Sequence, residues 1–193
     1  MVTELDLSDN CPMTLVGHTL TGLSFAVVAL PAHLRWPAIA ATAAVFAILA
    51  NVPDIPIRGW GHDQYLVSHS LFVSLALIVP LTALLAGVKR TRECLGGTSV
   101  IVLGGVAWLS HLLLDCFYGG GLVMFWPFFP EPVDLSLPWF SVLPPEQLWT
   151  PIAFRVWGIE ALFFGGLLSA CGVGRFVIAR LCRPPKGVRL GEG

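Results

Sequence analysis

Long apolar stretches separated by short polar segments dominate this chain. Five of them can be marked, each close to the about 20 residues that a helix needs to cross about 30 Å of hydrocarbon. They run over 15–34, 36–52, 69–88, 98–117 and 151–173. The second stretch is short and has Pro37 near its start. The pattern predicts an all-α, polytopic membrane helix bundle with about five transmembrane helices.

The composition favours the same class. Hydrophobic residues make up 55% of the 193 residues and charged residues only 12%, with a mean hydropathy of +0.78. Few soluble domains of this size are so apolar. A soluble bundle of very apolar helices is the alternative, which the recurring spanning length disfavours. We expect a single integral membrane domain over residues 1–183, followed by a flexible basic tail over 184–193.

Basic residues predict the orientation in the membrane. They concentrate in the segment 89–92 and in the C-terminal region from Arg175 onward, and such clusters mark the cytoplasmic side. We interpret them as topology signals, and we expect no nucleic-acid partner. The acidic N-terminus has no basic residue before the first apolar stretch and so does not resemble a cleaved signal. The prediction is an extracytoplasmic N-terminus and a cytoplasmic C-terminus.

Alternation of the five helices then brings the unusual polar residues to one membrane face. These are His18, Asp54, His69, His111 and Asp115. Ionisable groups inside spanning segments are costly and usually face a partner or a cavity. The orientation was predicted from the basic residues alone, without these five residues. Their coincidence on the extracytoplasmic side therefore predicts a shared site.

A metal site is the leading interpretation of this group. His111 and Asp115 are four residues apart, which puts both on one helical face within reach of one ion. Histidine and carboxylate ligands suit a divalent metal such as zinc, and an open coordination position is what catalysis needs. In the alternative, Asp115 only orients His111, His18 is a core histidine, and Asp54 is a turn residue. His69 would then be an interfacial residue beside a helix-capping Ser68.

Other polar residues are less informative. His33 falls in the predicted inner loop and is interpreted as a loop or headgroup contact. His62 lies in the outer loop, and nothing in the sequence fixes its position relative to the site. Arg155 and Glu160 could pair with each other, which we favour, or Glu160 could support the site from behind its ligands.

Residues 118–150 differ from the rest of the chain. This segment is rich in proline and in phenylalanine and tryptophan. Prolines prevent a continuous helix, and aromatic residues at this density favour the headgroup level of a membrane. We predict an interfacial or re-entrant loop above the polar cluster. An ordinary aromatic belt is the compatible alternative.

Several motifs taken in order resemble a known family, the membrane-bound metal-dependent hydrolases of bacterial inner membranes, also called LexA-binding, inner-membrane-associated hydrolases. The matching elements span about residues 13–130 and are Gly17-His18-Thr19 with Gly22, Pro53-Asp54, Ser68-His69-Ser70-Leu71, His111-Leu112-Leu113-Leu114-Asp115 and Phe125-Trp126-Pro127-Phe128. Two positions depart from the family pattern. Pro56 stands where a second acidic residue is common, and Gln64-Tyr65 stands where a His-Arg pair is common. The number of metal ions is therefore left open, as is a role for His62.

The resemblance implies a metal-dependent hydrolase in the bacterial inner membrane. We expect His18, His69 and His111 to bind the metal, with zinc as the expected ion, and Asp54 and Asp115 to act as ligand or general base. A site at headgroup level under an aromatic loop favours a lipid ester or phosphoester as substrate, so membrane lipids are the expected partners. The alternative is a non-catalytic membrane protein in which a structural metal or polar cluster fixes helix packing.

Overall fold

The computed structural model of the chain describes residues 15–31, 35–55, 57–58, 60, 65–118, 121–140, 147 and 149–181. Its α-helices are α1 (Leu15–Ala29), α2 (Trp36–Leu49), α3 (Tyr65–Ser68), α4 (Leu71–Gly87), α5 (Lys89–Leu95), α6 (Thr98–Asp115) and α7 (Pro151–Leu181), and a 3₁₀ turn covers Val52–Asp54. Within these described residues, strand pairing is limited to an isolated bridge between Leu122 and Val133. The predicted all-α class is confirmed. The predictions for His33, His62 and the 184–193 tail lie outside the described residues.

Two of the described helices are long and apolar enough to cross a membrane by themselves, α6 with 18 residues and α7 with 31. Helices α4 and α5 taken together are also long and apolar enough to cross a membrane, but they meet at a bend of 98°. Helices α1 and α2 are apolar but shorter, with 15 and 14 residues. The five predicted stretches therefore correspond to α1, α2, α4, α6 and α7, while the number of membrane crossings stays a prediction.

Four of the five apolar stretches begin at the residue where a helix begins. The exception is the third stretch, 69–88, whose helix α4 begins two residues later. Helix α4 begins at Leu71 because Ser70 is extended and its side chain accepts a hydrogen bond from the Val73 backbone N–H. Ser70, and not Ser68, is therefore the N-cap residue. His69 consequently lies in the break between α3 and α4. The basic segment 89–92 lies in the short helix α5.

Helices α1 and α6 occupy the centre of the bundle. Helix α1 packs against α2, α6 and α7, and α6 also packs against α2 and α4. Their shared core consists of the buried residues Ala26, Ala29, Leu30, Phe46, Val100 and Ala107. Gly22 permits the close approach of α1 to α2, since a Cβ atom there would lie 2.5 Å from the Phe46 carbonyl oxygen. This packing fixes the end of α1 that carries His18 beside the end of α2 that leads to Asp54.

Candidate metal centre

The five predicted site residues come from four separate elements that end at the same side of the bundle. His18 lies in the first turn of α1, and Asp54 ends the 3₁₀ turn that follows α2. His69 precedes α4, while His111 and Asp115 lie in the last turns of α6. Successive long helices run in opposite directions, so the beginning of one lies beside the end of the next. The described structure thus brings all five residues together.

The imidazole Nε2 atoms and carboxylate oxygens of the cluster lie close to one another. Asp115 is central: its Oδ1 is 3.2 Å from His18 Nε2, and its Oδ2 is 3.1 Å from His69 Nε2 and 3.2 Å from His111 Nε2. Asp54 Oδ1 is 3.2 Å from His69 Nε2 and 3.5 Å from His111 Nε2. The two histidine Nε2 atoms of His69 and His111 are 3.2 Å apart. Three imidazoles and two carboxylates therefore share one small volume.

Hydrogen bonds on the far side of two histidine rings orient them. His111 Nδ1 lies 2.8 Å from the Ala50 carbonyl oxygen, which can only accept, so Nδ1 carries the proton and Nε2 presents a lone pair to the cluster. His69 Nδ1 lies 2.7 Å from Ser68 Oγ. Such partners commonly fix the tautomer of metal-binding histidines. The contact of His111 with the Ala50 carbonyl could not be predicted from the sequence. The contact of His69 with Ser68 could be anticipated, because the two residues are adjacent in the sequence.

His18 and Asp115 are the least satisfied members of the cluster. The His18 ring stacks on that of His111 with centroids 3.9 Å apart. Both ring nitrogens of His18 and both carboxylate oxygens of Asp115 are buried without a hydrogen bond of acceptable geometry, although His18 Nε2 and Asp115 Oδ1 are only 3.2 Å apart. Buried polar atoms are rarely left without a partner. This donor set fits a divalent cation, which accepts lone pairs from imidazole nitrogen and carboxylate oxygen alike.

Two overlapping triads have the spacing needed to hold an ion. They are His18, Asp54 and His111, and His69, His111 and Asp115, and in each the candidate ligand atoms all lie within 4.8 Å of one another. The protein therefore contains histidine and aspartate groups that could hold a metal ion.

The two members on connecting segments have shifted pKa values. Burial raises the pKa of Asp54, but the neighbouring imidazoles of His111 and His69 outweigh burial and bring the pKa below its ordinary value. Burial lowers the pKa of His69, yet the nearby carboxylates of Asp115 and Asp54 leave it raised. Each charge is thus stabilised mainly by the other members of the cluster.

Behind His18, a fully buried carboxylate ties three elements together. Glu160 of α7 accepts a hydrogen bond from the Tyr118 hydroxyl at 2.8 Å and from the Gly17 backbone N–H at 3.2 Å. Gly17 directly precedes His18, so Glu160 holds the beginning of α1 against α7 and Tyr118. Arg155 is exposed whereas Glu160 is buried, because residues five apart point to different helix faces. Glu160 therefore lies behind the cluster.

Residues 121–140 of the aromatic segment lie next to the cluster. The segment's Trp126 and Met124 carbonyls accept hydrogen bonds from the Ser70 hydroxyl and the Leu71 N–H at the start of α4. Its Leu135 N–H donates to the Cys116 carbonyl at the end of α6. The segment thus joins the element that follows His69 to the helix that carries Asp115.

Comparison with known proteins identifies the family. The family model described as YdjM inner membrane protein matches residues 13–181, which include every described element and all five site residues. The chain belongs to the YdjM inner membrane protein family. No curated protein and no solved structure matches the chain.

Membership in the YdjM family makes this chain an inner-membrane protein, in agreement with its apolar helices. The inner-membrane part of the resemblance seen in the sequence is therefore confirmed. The family description does not mention hydrolysis, a metal or a substrate, so these rest on the geometry of the cluster.

Proposed function

We propose that this YdjM-family protein is a metal-dependent hydrolase that acts on a lipid ester or phosphoester at the extracytoplasmic headgroup level. The observation that carries the proposal is the convergence of three histidines and two aspartates, with buried atoms of His18 and Asp115 that lack hydrogen-bond partners. A structural role alone does not require so many potential ligands at one point.

Zinc is the ion that this donor set favours, because imidazole and carboxylate ligands are common to catalytic zinc sites. A bound divalent cation would supply Lewis acidity that makes water a nucleophile at neutral pH. His111 would bind through Nε2, since its Nδ1 is held by the Ala50 carbonyl. His69 would do the same, with Nδ1 held by Ser68.

The two aspartates differ in access. The Asp54 side chain is 17% exposed, whereas those of Asp115 and His69 are each 1% exposed. Water or a substrate would therefore approach the cluster from the side of Asp54. We assign Asp54 as the general base that takes a proton from attacking water at its carboxylate, and Asp115 as the buried group that binds the ion and orients the three histidines.

A membrane lipid is the substrate class that the surroundings favour. The cluster lies at one end of a bundle of apolar helices, next to a segment with exposed aromatic side chains that include Phe128, Phe129 and Trp139. Aromatic residues of this kind concentrate at the membrane–water interface. An ester or phosphoester group at the same level would meet the cluster without leaving the membrane.

The alternative function is a structural metal or polar cluster that fixes helix packing. The observation in its favour is burial, since His18, His69, His111 and Asp115 are all at most 4% exposed. Structural metal sites have closed coordination, whereas catalytic ones keep a position open. Whether a bound ion has an open position on the side of Asp54 therefore distinguishes the two functions.

The test is hydrolysis of a panel of lipid esters and phosphoesters by purified protein, with and without a chelator, followed by Asp54→Asn. We expect chelator-sensitive turnover that falls about 10²–10⁴-fold in this variant, the range for a general base, with little change in thermal stability. Asp134→Asn is the matched control, because Asp134 is an exposed carboxylate in the aromatic segment. A panel without chelator-sensitive turnover, together with early melting of Asp54→Asn, would favour the structural alternative.

A further inference from the structure

An apolar cleft runs along α6 between α2 and α4. Its volume is about 440 Å³, within the about 300–1,000 Å³ typical of ligand pockets. The floor contains the buried residues Ile78 and Ile101, while Val45 on α2 and Leu81 on α4 form walls that are about half exposed. The cleft is therefore open at the side, where a transmembrane helix bundle meets lipid.

One end of the cleft lies about one helical turn from the candidate metal centre. Trp108, which lines this end, lies one helical turn before His111 on α6. Leu49 lines it as well and directly precedes Ala50, whose carbonyl oxygen orients His111. The opposite end is lined by Leu95 of the basic helix α5 and by Val100. From Val100 to Trp108 the cleft follows about 12 Å of helix.

The chemistry of the lining indicates what could occupy the cleft. Most lining side chains are aliphatic or aromatic, the exceptions being Thr42, Thr82 and Cys94. The Trp108 indole N–H is already donated to Ser74 Oγ at 3.2 Å. Gly104 and Gly105 deepen the floor, because α6 has no side chains at these two positions. Such a surface offers van der Waals contact and almost no polar recognition, which suits a hydrocarbon chain.

We propose that this cleft holds one acyl chain of the lipid substrate, with the ester end beside Trp108 and the chain end toward Leu95. The inference rests on the proposed function, since it places the scissile group next to the His/Asp cluster. It adds that the substrate is recognised by its chain along α6, and that the lipid enters from the side between α2 and α4.

The first test is photocrosslinking of the full chain in lipid nanodiscs. The probes are two phosphatidylethanolamines that carry a diazirine on one acyl chain, either next to the ester or at the chain end. We expect the near-ester probe to label the region of Leu49 and Trp108, and the chain-end probe to label that of Leu95 and Val100. Equal labelling of exposed Leu162 on α7 would indicate bulk lipid only and would overturn the proposal. Reversed labelling, with the near-ester probe at Leu95, would also overturn it.

The second test fills the cleft. Ala41→Phe and Thr82→Phe place rings in it from α2 and α4, and Ala40→Phe and Ala83→Phe are matched controls on exposed positions of the same helices that do not line it. We expect at least a several-fold loss of cleft labelling in the first pair and none in the controls, with all four variants folded. Identical labelling in a filled variant and its control would overturn the proposal.

The two proposals fail differently. Chain labelling of the cleft that persists in His111→Ala, without hydrolysis by the parent protein, would support chain binding and contradict the hydrolase function. Chelator-sensitive hydrolysis that is unaffected by Ala41→Phe, without specific labelling of the cleft, would contradict the chain site and leave the hydrolase function standing.

Discussion

Replacement of Gly22 by alanine tests how helix packing positions the cluster. Gly22 lies one turn after His18 on α1 and faces α2. An alanine Cβ there would lie 2.5 Å from the Phe46 carbonyl oxygen and 3.0 Å from the Ala50 Cβ. Ordinary van der Waals contact begins at 3.4 Å, so the backbone contact is 0.9 Å too short.

The neighbouring atoms cannot yield independently, because the closest of them belongs to the backbone of α2. Helices α1 and α2 must therefore move apart. Overpacking of this kind costs about 1–3 kcal/mol, which lowers the melting temperature by about 2–12 °C for a chain of this size. The same movement separates His18 on α1 from Ala50, which orients His111, and should weaken metal binding.

The assay is thermal unfolding in detergent, with and without added zinc, compared with Gly166→Ala. Gly166 lies on an exposed face of α7, and a Cβ atom there would meet nothing within 4 Å. We expect Gly22→Ala to melt earlier and to gain less stability from zinc than the parent, while the control loses nothing. Equal melting of Gly22→Ala and the parent would refute the packing argument, and undiminished zinc stabilisation would refute its link to the site.

Two further predictions concern topology and the carboxylate behind the cluster. Reporter fusions after residue 90 and at the C-terminus should report the cytoplasm, and fusions near Asp134 the opposite side; an inverted pattern would contradict the proposed extracytoplasmic site. Glu160→Gln replaces the acceptor of two buried hydrogen bonds. It should destabilise the protein by about 1–3 kcal/mol and weaken zinc binding through Gly17 and His18, whereas Tyr118→Phe, which removes one hydrogen bond, should cost less. An unchanged melting temperature and zinc affinity in Glu160→Gln would contradict this role.

Much of the fold was predictable because apolar length alone identifies membrane helices. Helices α1, α2, α6 and α7 begin where the apolar stretches begin. Convergence of the five polar residues was predictable for a related reason, since helices joined by short connections alternate in direction. The break at His69 was not predictable from hydropathy, because it depends on the extended backbone of Ser70 and its contact with Trp126.

The surroundings of the cluster were harder to predict than its members. Sequence reasoning favoured an ion pair between Glu160 and Arg155, but the face of α7 that packs on α1 buries only the glutamate. A lone acidic residue in the outer half of an apolar helix was the available signal. The Ala50 carbonyl left no signal, because any residue supplies a carbonyl and only tertiary packing decides which one meets His111.

The most direct test of the central claim is the metal content of the purified protein. After zinc loading and removal of free ions, we expect about one or two zinc ions per chain, with ligand distances of about 2.0–2.2 Å by X-ray absorption. His69→Ala and His111→Ala should each lower the content while retaining their helical circular dichroism, and His33→Ala, predicted to lie at the opposite side of the membrane, should keep it. A parent protein without bound metal, or equal loss in all three variants, would contradict the claim that these residues form a metal centre.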